Sequence, residues 1–111
     1  FSEAWRTMRV FVTKWFARFA RRERIDRQSL IEAVTRAGAG SIDADLGGGL
    51  IKQRVARSGQ GRSGGYRTII AVRGGDRAFF LYGFAKSERS NLEPDEIFAY
   101  CHYRDAKWKR L

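Results

Sequence analysis

The hydrophobic period of this chain switches midway from helical to alternating, and that switch decides the fold class. From Lys14 to Ala37 the apolar residues recur at helical spacing; from Leu50 to Ala85 they alternate. Trp15, Phe16 and Phe19 share one side of a helical segment from Lys14 to Glu23, with Arg18, Arg21 and Arg22 left for its surface. A second helix is expected over Arg27 to Ala37. Asp26 caps it, Leu30, Val34 and Ala37 form its buried stripe, and Gly38 stops it. Leu50 to Ala56 then sets Ile51, Gln53 and Val55 on one strand face and Lys52 and Arg54 on the other. Tyr66 to Arg73 alternates in the same way, with Arg67 opposite Tyr66, Thr68, Ile70 and Val72. Gly74–Gly75–Asp76 is a tight-turn signal that leads into a third strand, Arg77 to Ala85.

The two ends complete the order. Val10–Phe11–Val12–Thr13 is β-branched and aromatic and reads as a first strand. Asp43 to Gly49, with its three consecutive glycines, reads as a loop. Pro94 suits a first helical position, with Asp95 and Glu96 in the first turn. Ile97, Cys101, Arg104 and Trp108 follow at helical spacing, and Lys107, Lys109 and Arg110 suit the end of such a helix. The chain therefore predicts an α+β domain: an N-terminal strand and two helices packed on a mainly antiparallel sheet, with a C-terminal helix. A length of 111 residues leaves room for one core, assigned to residues 8–111. Residues 1–7 are set aside as an artificial remnant or an upstream extension.

Charge narrows the function. Twenty-two Lys and Arg against 12 Asp and Glu give +10, while 43% apolar content keeps the chain among globular proteins. Solubility of a small domain needs only about 2–8 charges. The excess points to a polyanionic partner, nucleic acid before an anionic membrane surface. Most of it lies in the sheet portion. From Lys52 to Arg89 there are nine basic residues opposed only by Asp76 and Glu88. Several classes are excluded. A single cysteine, Cys101, forbids an intrachain disulfide framework and fits a reducing cytoplasm. A single histidine, His102, forbids a two-histidine acid–base pair and a multi-histidine metal site. No apolar run approaches the ~18 residues of a membrane span, and no signal peptide is expected.

The short motifs have plain readings. Gly59–Gln60–Gly61–Arg62–Ser63–Gly64 matches a dinucleotide fingerprint in letters, but a strand and not a helix follows it. A phosphate loop fails for want of its lysine. The stretch is a basic, glycine-rich connection whose N–H groups can approach a phosphate. Tyr66, Phe80, Tyr82 and Phe84 could stack on bases, but at period two they belong mostly to a core. Asp43 and Asp45 suit loop capping better than metal ligation. Cys101 reads as a small apolar group and His102 as a surface residue.

Three blocks in order resemble a known family. They are Ala44–Asp45–Leu46–Gly47–Gly48–Gly49–Leu50–Ile51–Lys52–Gln53–Arg54, then Gly61–Arg62–Ser63–Gly64–Gly65–Tyr66–Arg67, then Phe79 through Arg89 with Lys86. Together with Val12–Thr13–Lys14–Trp15–Phe16 they look like the HigB-type branch of the RelE/ParE toxins of bacterial type II toxin–antitoxin modules. The resemblance implies a ribosome-dependent mRNA endoribonuclease. In such toxins the ribose 2′-hydroxyl attacks the adjacent phosphate without a metal or other cofactor. It also implies three partners, a cognate antitoxin of helix-turn-helix type, the ribosome and mRNA, and a cytoplasmic location with no membrane. By position in the motifs, Lys52 and Arg54 match the family's paired strand lysines. Arg67 matches the arginine after Gly–Tyr, and Lys86 the basic residue closing the last strand. Lys52 is then the expected base, Arg67 the clamp on the phosphate, and Lys86 or Arg54 the aid to the leaving oxygen. Arg57, Arg62, Tyr82 and Arg89 complete the expected RNA-contacting set. One departure is plain: Asn91, Leu92 and Glu93 stand where the family carries a tyrosine. Its orienting role is either absent or passes to Tyr82 or Tyr100. The alternatives are a ParE-like inhibitor of DNA gyrase and a non-catalytic nucleic-acid-binding module.

Overall fold

The computed structural model describes residues 8–57, 61–85 and 108–111. Among them run β1 (Arg9–Thr13), α1 (Lys14–Arg22), α2 (Arg27–Gly38), β2 (Ala44–Gly47), β3 (Leu50–Arg57), β4 (Gly61–Arg73), β5 (Arg77–Ala85) and β6 (Trp108–Arg110). The strands form one sheet in the order β2-β3-β4-β5-β1-β6. Only β1 and β5 run parallel; every other neighbouring pair is antiparallel. This is the α+β architecture expected, with two helices on a mainly antiparallel sheet.

Local chemistry sets the helix ends. Thr13 closes β1 and opens α1: its hydroxyl accepts the Phe16 N–H at 3.0 Å and donates to the Leu81 carbonyl at 3.3 Å. Asp26 caps α2 as expected, accepting the Ser29 N–H at 2.8 Å. The glycine that ends α2 is Gly40 rather than Gly38. Gly40 has φ +91°, and the Ser41 and Gly40 N–H groups turn back to the carbonyls of Arg36 and Ala37. That is a Schellman closure, which needs the left-handed residue just past the helix. Gly38 is instead the last, buried residue of α2.

The main core lies between the helices and one face of the sheet. Phe16, Phe19, Leu30, Ala33 and Val34 pack on Ile51, Val55, Tyr66, Ile70, Ala78 and Phe80. A smaller cluster on the other face joins Leu50, Ile69, Ala71 and Leu81. Strand β5 serves both by a bulge. Ile69 opposes Tyr82 but Ile70 opposes Phe80, so Leu81 is the extra residue and adjacent Phe80 and Leu81 are both buried. Past the bulge a bare backbone is required: a Cβ on Gly83 would lie 2.6 Å from the Phe19 ring.

Two further expectations need correction. The loop expected from Asp43 to Gly49 contains the short edge strand β2. Its turn into β3 is made by Gly48 and Gly49 at φ +62° and +81°, the two positive angles that a tight hairpin demands. Trp108 to Arg110, expected to finish a helix, instead form β6 against β1, with Phe11 opposite Arg110. Edge pairing to β1 outweighs the helical spacing of Trp108. The rest of that expected helix, including Pro94, Ile97, Cys101 and Arg104, lies outside the described residues.

Candidate nucleic-acid interface

The register of β3 on β4 brings the cations together. Arg54 stands directly opposite Arg67, and Lys52 opposite Ile69. Alternation puts all three on the face away from α1 and α2, beside Leu50, Ile69 and Ala71. Side chains directly opposed across antiparallel strands are about 4.5–5.5 Å apart at Cβ, and like charges there repel. Arg54 is exposed; Lys52 and Arg67 are half-buried. Neither Arg54 nor Arg67 has a carboxylate partner among the described residues. The Nη1 of Arg67 is buried and finds no acceptor among them either. A buried donor without an acceptor costs about 1–3 kcal/mol, more when charged.

Aromatic residues flank the cations. The Arg54–Arg67 row continues to Phe84 on β5, and the Lys52–Ile69 row to Tyr82. Phe84 is buried, as are Phe80 and Tyr66. The Tyr66 hydroxyl lies 3.2 Å from Glu23 Oε1, on the helix side. Tyr82 is half-buried, and Trp15 stacks on it with ring centroids 4.6 Å apart. Helical spacing assigned Trp15 only to the core, so its place beside Tyr82 was missed. The backbones of Arg57 and Arg62 lie at the far end of the β3–β4 pair, where Arg57 opposes Gly61. Lys86 and Arg89 lie outside the described residues.

A second set of contacts holds β3 from behind. Gln53 is fully buried. Its amide nitrogen donates to the Ala33 and Ser41 carbonyls, and its oxygen accepts the Asp43 N–H, all at 3.0 Å. Asp43 accepts the Arg54 N–H at 2.7 Å, and Arg36 donates to the Arg54 carbonyl. Asp43 and Asp45 are both engaged in capping; Asp45 accepts the Gly47 N–H at 2.8 Å. The i,i+4 spacing of Glu32 and Arg36 was a readable signal for one link of this set. The link from Arg36 to β3 had none.

Chemically the face suits a phosphate. Guanidinium groups make charge-assisted, often bidentate bonds to phosphate oxygens. A cavity of about 470 Å³ lies elsewhere, between α2 and the glycine turns of β2–β3 and β4–β5. Val34, Ile51, Ile70 and Val72 line it and none of the three cations does. Among the described residues no helix is long and apolar enough to cross a membrane.

No curated protein matches the chain. Residues 8–108, a span that carries α1, α2 and every strand of the cationic rows, match the family model described as RelE toxin of the RelE/RelB toxin–antitoxin system; the chain belongs to that family.

Proposed function

We propose that this toxin is an endoribonuclease that cuts mRNA on the ribosome, with Arg54 and Arg67 holding the scissile phosphate. The supporting observation is the cross-strand pair itself: Arg54 and Arg67 stand opposite each other in the ladder and neither is neutralised by a carboxylate among the described residues. Such a pair costs stability unless an anion joins it.

The reaction follows from what the chain offers. The side-chain amine of Lys52 takes the proton from the ribose 2′-hydroxyl as O2′ attacks the adjacent phosphorus. Arg67 and Arg54 neutralise the charge that builds on the non-bridging oxygens. The bond from phosphorus to O5′ breaks, and O5′ takes a proton delivered by Lys86 or through Arg54. The products are a 2′,3′-cyclic phosphate and a 5′-hydroxyl. Fixed cations supply the charge neutralisation, so no metal is assigned a role. Tyr82 supplies a stacking surface, and Arg57, Arg62 and Arg89 extend the positive path along the RNA. HigB-type branching, a helix-turn-helix antitoxin and a cytoplasmic site of action belong to the same proposal, as does a single domain over residues 8–111.

Primer extension on mRNA in a purified translation system tests it, with wild type and Arg67→Ala, with and without ribosomes. Cuts inside codons that require both ribosomes and Arg67 are expected. Folded protein that leaves mRNA intact overturns the proposal and turns attention to DNA supercoiling by gyrase and to salt-dependent binding of free nucleic acid.

A further inference from the structure

We propose that Asp43, Arg36 and Gln53 are positioning residues that fix the backbone of Arg54 opposite Arg67. The proposal rests on the cleavage reading above. Strand β2 opposes β3 only at Leu50, Ile51 and Lys52. Two residues further on, Arg54 has β4 on one side and, among the described residues, no strand on the other. Side chains take over there. The Asp43 carboxylate accepts the Arg54 N–H at 2.7 Å, and the Arg36 guanidinium donates to the Arg54 carbonyl, as a neighbouring strand would. Arg36 is itself held, by Glu32 at 2.7 Å and by Asp43 at 3.6 Å. Gln53, fully buried, ties the same stretch to the end of α2 and to Ser41.

Hydrogen-bond satisfaction alone does not call for this network. Backbone groups on an edge strand reach water readily. The network can do what water cannot, which is to resist a force. Arg54 and Arg67 repel each other across the ladder. The ladder has already lost its regular register by the next residues, between Val55 and Arg57. Pinned from α2 and the loop before β2, Arg54 cannot yield to that repulsion by sliding along or away from β4. A phosphate then meets two guanidinium groups whose spacing is set in advance. In-line attack demands placement within about 0.5 Å.

Single-turnover cleavage on programmed ribosomes tests the idea with Asp43→Ala, Asp43→Asn, Arg54→Ala and the double variant Asp43→Ala/Arg54→Ala. Asp43→Ala is expected to lower kcat about tenfold, with KM held within about twofold. Asp43→Asn keeps an acceptor oxygen and is expected to recover most of the rate. The double variant is expected to be no slower than Arg54→Ala within about twofold, because one residue acts through the other. Losses that multiply in the double variant overturn the proposal. So does a wild-type rate in folded Asp43→Ala, or an Arg54→Ala variant that cuts normally. If Asp43→Ala does not fold at the assay temperature, Arg36→Lys makes the same comparison. It keeps the charge but not the planar fork, and a severalfold fall in kcat with KM unchanged is expected. A full rate there overturns the proposal. Failure of the cleavage reading looks different: wild type then cuts no message, whatever stands at position 43.

Discussion

The two faces of β4 are made by the same thirteen residues and obey opposite rules. Toward the helices, Tyr66, Thr68 and Ile70 are buried on the side of Phe16, Phe19 and Val34, and the polar side chains of β4 there have partners. The Thr68 hydroxyl donates to the Gln53 carbonyl at 2.8 Å, and the Tyr66 hydroxyl reaches Glu23. Away from the helices, Arg67 carries a buried nitrogen without an acceptor among the described residues and faces a second arginine. The helix face is organised for stability. The other face gives some stability up, and under the proposed function a bound phosphate offsets that loss.

The contrast breaks most visibly in the core. Phe80→Ala should destabilise the chain by about 3–5 kcal/mol, because Phe80 is fully buried against Phe16 with ring centroids 5.0 Å apart. Urea denaturation followed by circular dichroism measures it. A loss under 1 kcal/mol would mean the helix face is not the main core. Arg67→Ala should do the reverse. Stability should stay level or rise slightly, since an unpartnered donor is removed. Cleavage should fall about 10²–10³-fold, the scale seen when one charge-stabilising donor is lost. Destabilisation by Arg67→Ala comparable to that of Phe80→Ala would place Arg67 in the core economy and end the contrast.

A third substitution probes the seam between the two faces. Gly83→Ala adds a methyl 2.6 Å from Phe19 and 3.1 Å from Phe16, so rings must move. Overpacking of that kind costs about 1–3 kcal/mol. Its position past the Leu81 bulge predicts a stability change with the cleavage rate of the folded fraction untouched. Paired urea and single-turnover measurements separate the two quantities.

These residues also show which features could be read in advance. Alternation in β3 set Lys52 and Arg54 on one face, and alternation in β4 set Arg67 apart from Tyr66, Thr68 and Ile70, because period two within a strand needs no partner. Asp26 and the Gly74–Gly75–Asp76 turn were readable because their chemistry is local. Register was not: nothing in the letters says that Arg54 meets Arg67 rather than Thr68. The bulge at Leu81 was hidden because Phe80 and Leu81 are equally apolar. Strand β2 was hidden because its glycines serve the hairpin and mimic a loop. Trp108 was misread because helical spacing cannot register an edge that β1 offers from the other end of the chain. The clamp of Arg36 and Asp43 on Arg54 depends on three elements meeting, which no window of sequence contains.

The smallest expected effect tests the helix side alone. The backbone hydrogen bond from Ser29, with help from its side chain, holds the Asp26 carboxyl below its ordinary value of 3.8. A carboxyl lowered on folding contributes stability that is present above the unfolded value and lost as pH falls through the folded one. Unfolding measured from pH 6 down toward pH 2 should therefore show a small loss from Asp26, concentrated below about pH 4. Asp26→Asn keeps a capping oxygen for Ser29 but has no proton to gain, so it should flatten that part of the profile while α2 stays folded. The cap lies on the helix layer, away from Arg54 and Arg67. Cleavage at neutral pH should match wild type, and a changed rate would mean that the two faces of the sheet are coupled through α2.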